Sequence, residues 1–229
     1  MSCILLIETS AKICSTALAV DGKVVFSKKN DEGMAHARLL PAFVDEALKS
    51  LGGAKIDAVA VSSGPGSYTG LRIGVATAKG LAFGYDAKLI AVPTLELIAN
   101  TVKKSVDVEP DALICPMIDA RRMEVYSQLF DAEAKEAGET QAEIITEDSY
   151  KNLLQKGKKI YFAGDGAGKC SSVITSENAV FVDGIEPDAV NMAELAERRL
   201  NNGEFVDVAY FEPFYLKDFV ATQSKHKVI

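Results

Sequence analysis

One succession of strands and helices is spelled twice along the chain, and that repetition restricts the possible folds more than any single motif does. In the first half, the apolar runs Ile4 to Ile7, Thr16 to Val20 and Val24 to Phe26 read as strands. Asp21-Gly22 joins the last two as a hairpin signal, so the three form an antiparallel meander. Leu40, Phe43, Val44, Ala47, Leu48 and Leu51 then recur at helical spacing and stop at Gly52-Gly53. This predicts a helix from about Arg38 to Leu51, with Pro41 in its first turn. A strand at Ala58 to Val61, a loop from Ser62 to Gly70 and a helix from Leu71 to Phe83 follow. Next come a strand at Leu89 to Val92 and a helix capped by Thr94 that reaches about Lys103.

After the polar stretch Lys103 to Asp111 the pattern restarts. Strands are expected at Ala112 to Ile118, Val125 to Phe130 and Glu143 to Ile145, and a helix at Asp148 to Gln155. A strand at Ile160 to Ala163, a short helix after Gly168, a strand at Val180 to Val182 and a helix at Val190 to Leu200 complete the second copy. The chain is therefore expected to be α/β, a duplicated βββαβαβα unit in two lobes, 1–105 and 106–229. The segment after Phe211 is expected to cross back to the first lobe. An acidic residue ends the first strand of each copy, Glu8 and Asp119, and facing lobes would set them on opposite walls of one cleft.

Composition narrows the partners. With 25 basic against 32 acidic residues the chain carries a net charge of −7. Such a surface repels phosphate backbones unless cations are gathered locally, so contact with nucleic acid must be local or supplied by a partner. The four cysteines form no CxxC pair and have no histidine cluster beside them, which argues against zinc and does not call for disulfides. The run Cys3 to Ile7 has no preceding Lys or Arg and meets Glu8 at once, so it reads as a strand and not a signal peptide. No run reaches the ~18 apolar residues of a membrane span. A cytoplasmic protein without a membrane segment is expected.

The segment SSGPGSYTGLRIGVATAKGLAFG, Ser62 to Gly84, is the most distinctive in the chain. Together with ILLIETS at Ile4 to Ser10, IDARRMEVY at Ile118 to Tyr126 and PFYL at Pro213 to Leu216, it resembles the bacterial TsaB (YeaZ) family of tRNA threonylcarbamoyladenosine biosynthesis proteins. The four motifs stand in the family's order and spacing and span essentially the whole chain. The resemblance implies the two-lobed actin, Hsp70 and sugar-kinase (ASKHA) architecture, with ribonuclease H-like lobes. It also implies a non-catalytic companion of TsaD, the subunit that transfers a threonylcarbamoyl group from its adenylate to the adenosine beside the anticodon. The ATPase TsaE joins that pair, tRNA is met mainly through the partner, and a homodimer forms when TsaD is missing.

Several groups have two readings. Gly64, Gly66 and Gly70, ahead of a helix N-terminus, suit either a phosphate cradle or a tight turn; no Lys-Ser or Lys-Thr follows to complete a Walker pattern. Gly70, Gly74 and Ala78 form a four-residue ridge of small residues, which serves close packing on the chain's own sheet or against another helix. In the resembled family this helix and the preceding one make the dimer surface. The expected partner face is therefore Leu40, Val44, Gly70, Leu71, Gly74, Val75, Ala78 and Lys79.

In active relatives of this architecture, carboxylates after the first strands hold a metal. Glu8 and Asp119, with Thr9, Ser10 and Ser15 nearby, occupy those places, although Glu8 stands where a kinase has Asp. Gly164 and Gly166 of AGDGAGK fit an adenosine-binding turn or a plain one. The Glu8, Thr9, Ser10, Asp119, Gly164 and Gly166 set is the candidate nucleotide site of the alternative reading, a free-standing ATPase or phosphotransferase.

The chain has only His36 and His226, and Leu40 stands four residues after His36, so the paired-histidine metal site of the catalytic partner cannot form here. Neither a G-x-S-x-G elbow nor a second well-placed histidine supports a peptidase. No catalytic residue, metal or cofactor is expected. Arg121 and Arg122 read either as phosphate-gripping groups or as one salt bridge plus one solvated charge, and Met123 stands where the family has Gly. Lys217, Lys225, His226 and Lys227 make a basic C-terminal end, a frayed tail or a contact for partner-held tRNA.

Overall fold

The computed structural model describes residues 1–31, 33 and 35–217. Lys225, His226 and Lys227 lie outside the described residues. The meander consists of β1 (Cys3–Glu8), β2 (Cys14–Val20) and β3 (Lys23–Asn30), and Asp21 and Gly22 turn it at φ 47° and 72°. β4 (Ala58–Gly64) and β5 (Lys88–Pro93) add to β1 in parallel, so the first sheet runs β3-β2-β1-β4-β5. The second half contains β6 (Leu113–Asp119), β7 (Glu124–Ser127), β8 (Phe130–Asp131), β9 (Gln141–Ile144), β10 (Ile160–Ala163) and β11 (Ala179–Val182). Its sheet runs β11-β10-β6-β7-β9, which read from the other edge is the order of the first sheet, antiparallel and parallel pairs included. The duplication legible in the sequence is thus a duplication of topology.

The expected strand Val125 to Phe130 is broken. Gln128 turns its amide into the following loop, donating to the Gly138 carbonyl at 2.9 Å and accepting from the Thr140 hydroxyl at 2.8 Å. β7 therefore ends at Ser127, and β8 pairs with the start of β6.

The helices are α1 (His36–Ser50), α2 (Tyr68–Gly84), α3 (Thr94–Ser105), α4 (Lys151–Leu154), α5 (Ala167–Cys170) and α6 (Ala193–Asn202), the last preceded by a 3-10 turn, Ala189–Met192. α1 begins earlier than its apolar spacing suggests, because Ala35 O accepts from the amides of Arg38 and Leu39. Pro41 consequently lies in the second turn, where it removes one ladder bond; it is tolerated because it and Ala37, whose carbonyl loses its partner, are both exposed. Thr94 is not a cap either: it is the first helical residue after Pro93, and its buried hydroxyl has no partner among the described residues.

The last helix of each half covers the other half's sheet. Leu95, Ile98, Ala99 and Val102 of α3 join Ile114, Ile118, Phe130 and Tyr161 of the second sheet in one cluster. Met192, Leu195 and Ala196 join Ile4, Leu6, Ile90 and Val92 of the first. Ala17, Ala19, Ala58 and Ala60 floor that second contact, and their small side chains allow the 3-10 turn and α6 to approach closely. Glu96 of α3 ties the arrangement together by accepting from Arg198 at 2.7 Å and from Arg199 of α6.

After α6 the chain returns to the first sheet. Val206 bonds to Leu89, the Lys79 ammonium reaches the carbonyls of Ala209 and Phe211, and the Phe214 amide donates to Ser63 O at 2.7 Å. Val206, Val208 and Phe211 pack against the cluster that also holds Leu40, Val44 and Val75.

The glycines of α2 divide into two kinds. A Cβ on Gly70 would lie 2.1 Å from the Thr9 carbonyl, whereas one on Gly80 would meet nothing within 4 Å. Gly70→Ala is therefore expected to cost at least ~2 kcal/mol, since backbone must move. Gly80→Ala is expected to stabilise by up to ~1 kcal/mol through helix propensity. Urea unfolding of the two variants checks the contrast, and equal effects would contradict this packing.

Candidate functional site

The 3-10 turn packs on β1 and β2, and the carboxyl ends of the parallel strands β1, β4 and β5 lie at the place where sheets of this kind hold ligands. Strand alternation puts Glu8 on the face of Ile4 and Leu6, and Ser62 on the face of Ala58 and Ala60. Ile7 pairs with Val61, so Glu8 and Ser62 continue side by side. Glu8 is 0% exposed. Its Oε1 accepts the Ser10 amide at 2.5 Å, while Oε2 has no hydrogen-bond partner among the described residues, and neither do the hydroxyls of Ser10 and Ser62. Burial pushes the Glu8 carboxyl up to about 7, and Asp188 adds to the shift; the Ser10 amide and the nearby Ser10 and Ser62 hydroxyls pull the other way and lose. Asp188 itself pairs with Lys29 at 3.4 Å, and the next amide, Ala189 N, donates to Ser15 Oγ at 2.9 Å.

The Thr9 hydroxyl and the Ser10 carbonyl are engaged by the glycine loop and α2. Thr9 Oγ1 donates to Gly70 O at 2.8 Å, and a Cβ on Gly74 would lie 2.1 Å from that oxygen. Ser67 N donates to Ser10 O at 2.6 Å, and a Cβ on Gly66 would lie 2.4 Å from the same carbonyl. Ser67 Oγ caps α2 by accepting from Gly70 N, so the corner where a phosphate would sit is filled by the chain's own polar groups. On the other side Gly64, at φ 107°, lets the Phe214 carbonyl come close: a Cβ there would lie 2.6 Å away. The glycine loop is thus a turn clamped between Thr9-Ser10 and the PFYL segment. Buried His36 supports the turn after β1, its Nε2 lying 3.0 Å from Ala11 O and 3.3 Å from Ile13 O.

The rest of the candidate nucleotide set makes its contacts around the end of β6. Asp119 is exposed at the end of β6, where Oδ1 accepts the Arg121 amide at 2.8 Å and pairs with Lys169. A Cβ on Gly164 would lie 2.3 Å from Met117 O, and one on Gly166 would lie 2.8 Å from the Ile118 carbonyl carbon. Both glycines therefore serve close approach to β6. Among the described residues no group of three or more His, Cys, Asp or Glu is placed to hold a metal ion.

The expected partner face needs correction. Leu40, Val44, Gly70, Leu71, Gly74, Val75 and Ala78 are all buried within the chain, packed toward β1, β4 and the Thr9 turn. Lys79 is half-buried, with its ammonium committed to Ala209 and Phe211. The reason is phase: Gly70, Gly74 and Ala78 lie on the inward stripe of α2. The outward stripe is Arg72, Ala76, Gly80 and Gly84, beside Phe83, which is 84% exposed. On α1 the outward residues include Arg38, Pro41, Ala42 and Asp45. Sequence reasoning also missed Ser62, Asp188 and the contact of Tyr68 with Tyr215, ring centroids 5.1 Å apart, over which Arg72 lies 4.4 Å from the Tyr68 ring. No local signal predicts contacts between residues so distant in the chain.

Comparison with known proteins places this geometry. The family described as TsaD, tRNA N6-adenosine threonylcarbamoyltransferase, matches residues 30–224. The tRNA threonylcarbamoyladenosine biosynthesis protein TsaB of Haemophilus influenzae is 32% identical, over 95% of this chain and 94% of its own. That of Escherichia coli is 31% identical, over 95% and 96%. The solved structure of YeaZ from Pseudomonas aeruginosa superposes with a TM-score of 0.78 at 29% identity, covering 94% of this chain and all of that one. No helix among the described residues is long and apolar enough to cross a membrane.

The buried carboxyl makes stability depend on pH. The folded value lies above the ordinary 4.5, so the folded chain keeps a proton that the unfolded chain has lost between pH 4.5 and about 7. Stability falls as pH rises through that window, by about 3 kcal/mol for this group. Glu8→Gln is expected to melt above the wild type at pH 8 and to match it more closely at pH 5. Parallel thermal melts at both pH values check this, and a constant difference would contradict it.

Proposed function

Because the chain belongs to the TsaB family of tRNA threonylcarbamoyladenosine biosynthesis proteins, we propose that it acts in that modification as a non-catalytic subunit, binding the transferase TsaD through the outer face of α1 and α2. The observation that carries the reading is the outward stripe Ala76, Gly80 and Gly84 on α2. Its small side chains let a second helix approach closely, and Phe83 offers that helix an apolar anchor. In the absence of TsaD a second copy covers the same face, and TsaE joins the assembled pair in the cytoplasm. Transfer RNA is then met mainly through TsaD.

The interior supports a supporting role over catalysis. A general acid or metal-holding carboxylate has to reach substrate, yet Glu8 is enclosed, Asp119 is spent on its own hairpin and Lys169, and the N-terminus of α2 is capped by Ser67. A free-standing ATPase would need all three released. Titration of ATP with Mg²⁺ into the chain alone is expected to give no heat of binding.

Gly80→Arg tests the interface without touching the core, because the position opens onto empty space. Wild-type chain mixed with TsaD at micromolar concentration is expected to elute as a heterodimer. The variant is expected to melt within a few degrees of the wild type yet elute apart from TsaD, with loss of threonylcarbamoyl transfer by the mixture. Co-elution of the variant would move the interface elsewhere.

A further inference from the structure

The hairpin between β6 and β7 carries a pair of groups that neither the fold nor the partner face uses. Arg121 and Arg122 stand at its tip, both exposed, with φ of 75° and 52°. Two successive residues in the left-handed region are disfavoured for side chains with a Cβ, and Asn or Gly would fill the positions more cheaply. The tip is nonetheless firmly built. Asp119 Oδ1 accepts the Arg121 amide, Ala120 N and Glu124 O bond at 3.1 Å, and Lys169 Nζ bridges Asp119 and the Glu124 carbonyl.

Neither guanidinium has a hydrogen-bond or ion-pair partner among the described residues. Neither arginine makes the salt bridge of the second reading, and the adjacent Asp119 pairs with Lys169. Arg198 and Arg199 sit on Glu96 and Arg72 lies over Tyr68, whereas Arg38, alone on the outer face of α1, is the other arginine without a side-chain partner among the described residues. The neighbouring Asp119 and Glu124 pair with Lys169 and Lys217, and Asp165 accepts the Asp119 amide, so neither arginine is held in an ion pair on a chain of net charge −7. Lys217 also links the tip to the C-terminal segment, where Tyr215 meets Tyr68 and Arg72 at the start of α2. Cations and aromatic rings thus follow one another from the hairpin to that helix, the pattern suited to a nucleic-acid strand.

We propose that Arg121 and Arg122 grip the phosphodiester backbone of an RNA, with the Tyr68–Tyr215 pair extending the contact toward α2. The proposal rests on the reading that this chain serves a tRNA-modifying complex, and adds a direct RNA contact to it. A polymer backbone is favoured over a free nucleotide because both arginines lie exposed at a hairpin tip. A mononucleotide requires enclosure from several sides, whereas phosphates of a strand are held from one.

The test is fluorescence anisotropy with a labelled, unmodified tRNA transcript, titrated with the full chain alone and together with TsaD over a range of salt. The variant R121N/R122G removes both charges while suiting the left-handed backbone, so it is expected to melt no lower than the wild type. RNA affinity is expected to fall about tenfold or more, and the slope of log affinity against log salt to become shallower by roughly 0.7 to 0.9 per lost contact. R121K/R122K is expected to retain most of the slope. Unchanged affinity and slope in R121N/R122G, or no salt-dependent RNA binding by the wild type in either form, would overturn the proposal. ATP binding lost in the variant while RNA binding persists would also overturn it, in favour of a nucleotide. Elution of the wild type apart from TsaD refutes the heterodimer reading alone, because the titration of the chain by itself still decides the RNA contact.

Discussion

Backbone meets backbone where the turn after β1 touches the first turns of α2, and the rest of the molecule is arranged around that contact. Thr9 and Ser10 present their carbonyls to Gly70 and Gly66 at distances that leave no room for a Cβ. The contact seats α2 on the first sheet and thereby decides which of its stripes faces outward. Beside it Glu8 is fully buried, and Phe214 packs against the same loop at Gly64. A chain that loses this corner loses the buried carboxyl, the orientation of the partner helix and the anchorage of the C-terminal segment together.

The second organising element is the exchange of helices between the sheets. Because α3 covers the second sheet and α6 the first, neither half buries its own apolar face completely. The electrostatics follow from this sharing. Glu8 is held neutral-leaning by burial under a turn supplied by the second half, and Glu96 gathers both arginines of α6. Where solvent remains, at the β6–β7 hairpin, charge is left unpaired on Arg121 and Arg122. A fold that neutralises its ions inside can present them at such a tip for another molecule.

The sequence was informative wherever a signal is local. Contiguous apolar runs located β1, β6 and β10 to within a residue at each end and β2 to within two, Asp21-Gly22 located the hairpin, and repetition of the pattern foretold two sheets of one topology. It misled where helical phase matters. The same spacing that marks Gly70, Gly74 and Ala78 as a ridge is silent on whether the ridge faces the sheet or the solvent, and it faces the sheet. It misled at Pro41 and Thr94 as well, because the start of a helix depends on which carbonyl happens to accept the first amides.

By itself, then, the sequence determined the α/β class, the duplication, the family to which the chain belongs and the residue types available for chemistry, since each is written in short-range periodicity or contiguous motif. Only the tertiary structure decided what those residues do. It buried Glu8, spent Asp119 on Lys169, turned the glycine ridge inward and set Arg121 and Arg122 side by side without a partner among the described residues. These outcomes depend on contacts between residues far apart in the chain, such as Phe214 with Ser63 or Lys217 with Glu124. Local spacing carries no record of which distant group will occupy a given space, and that occupation sets both burial and charge.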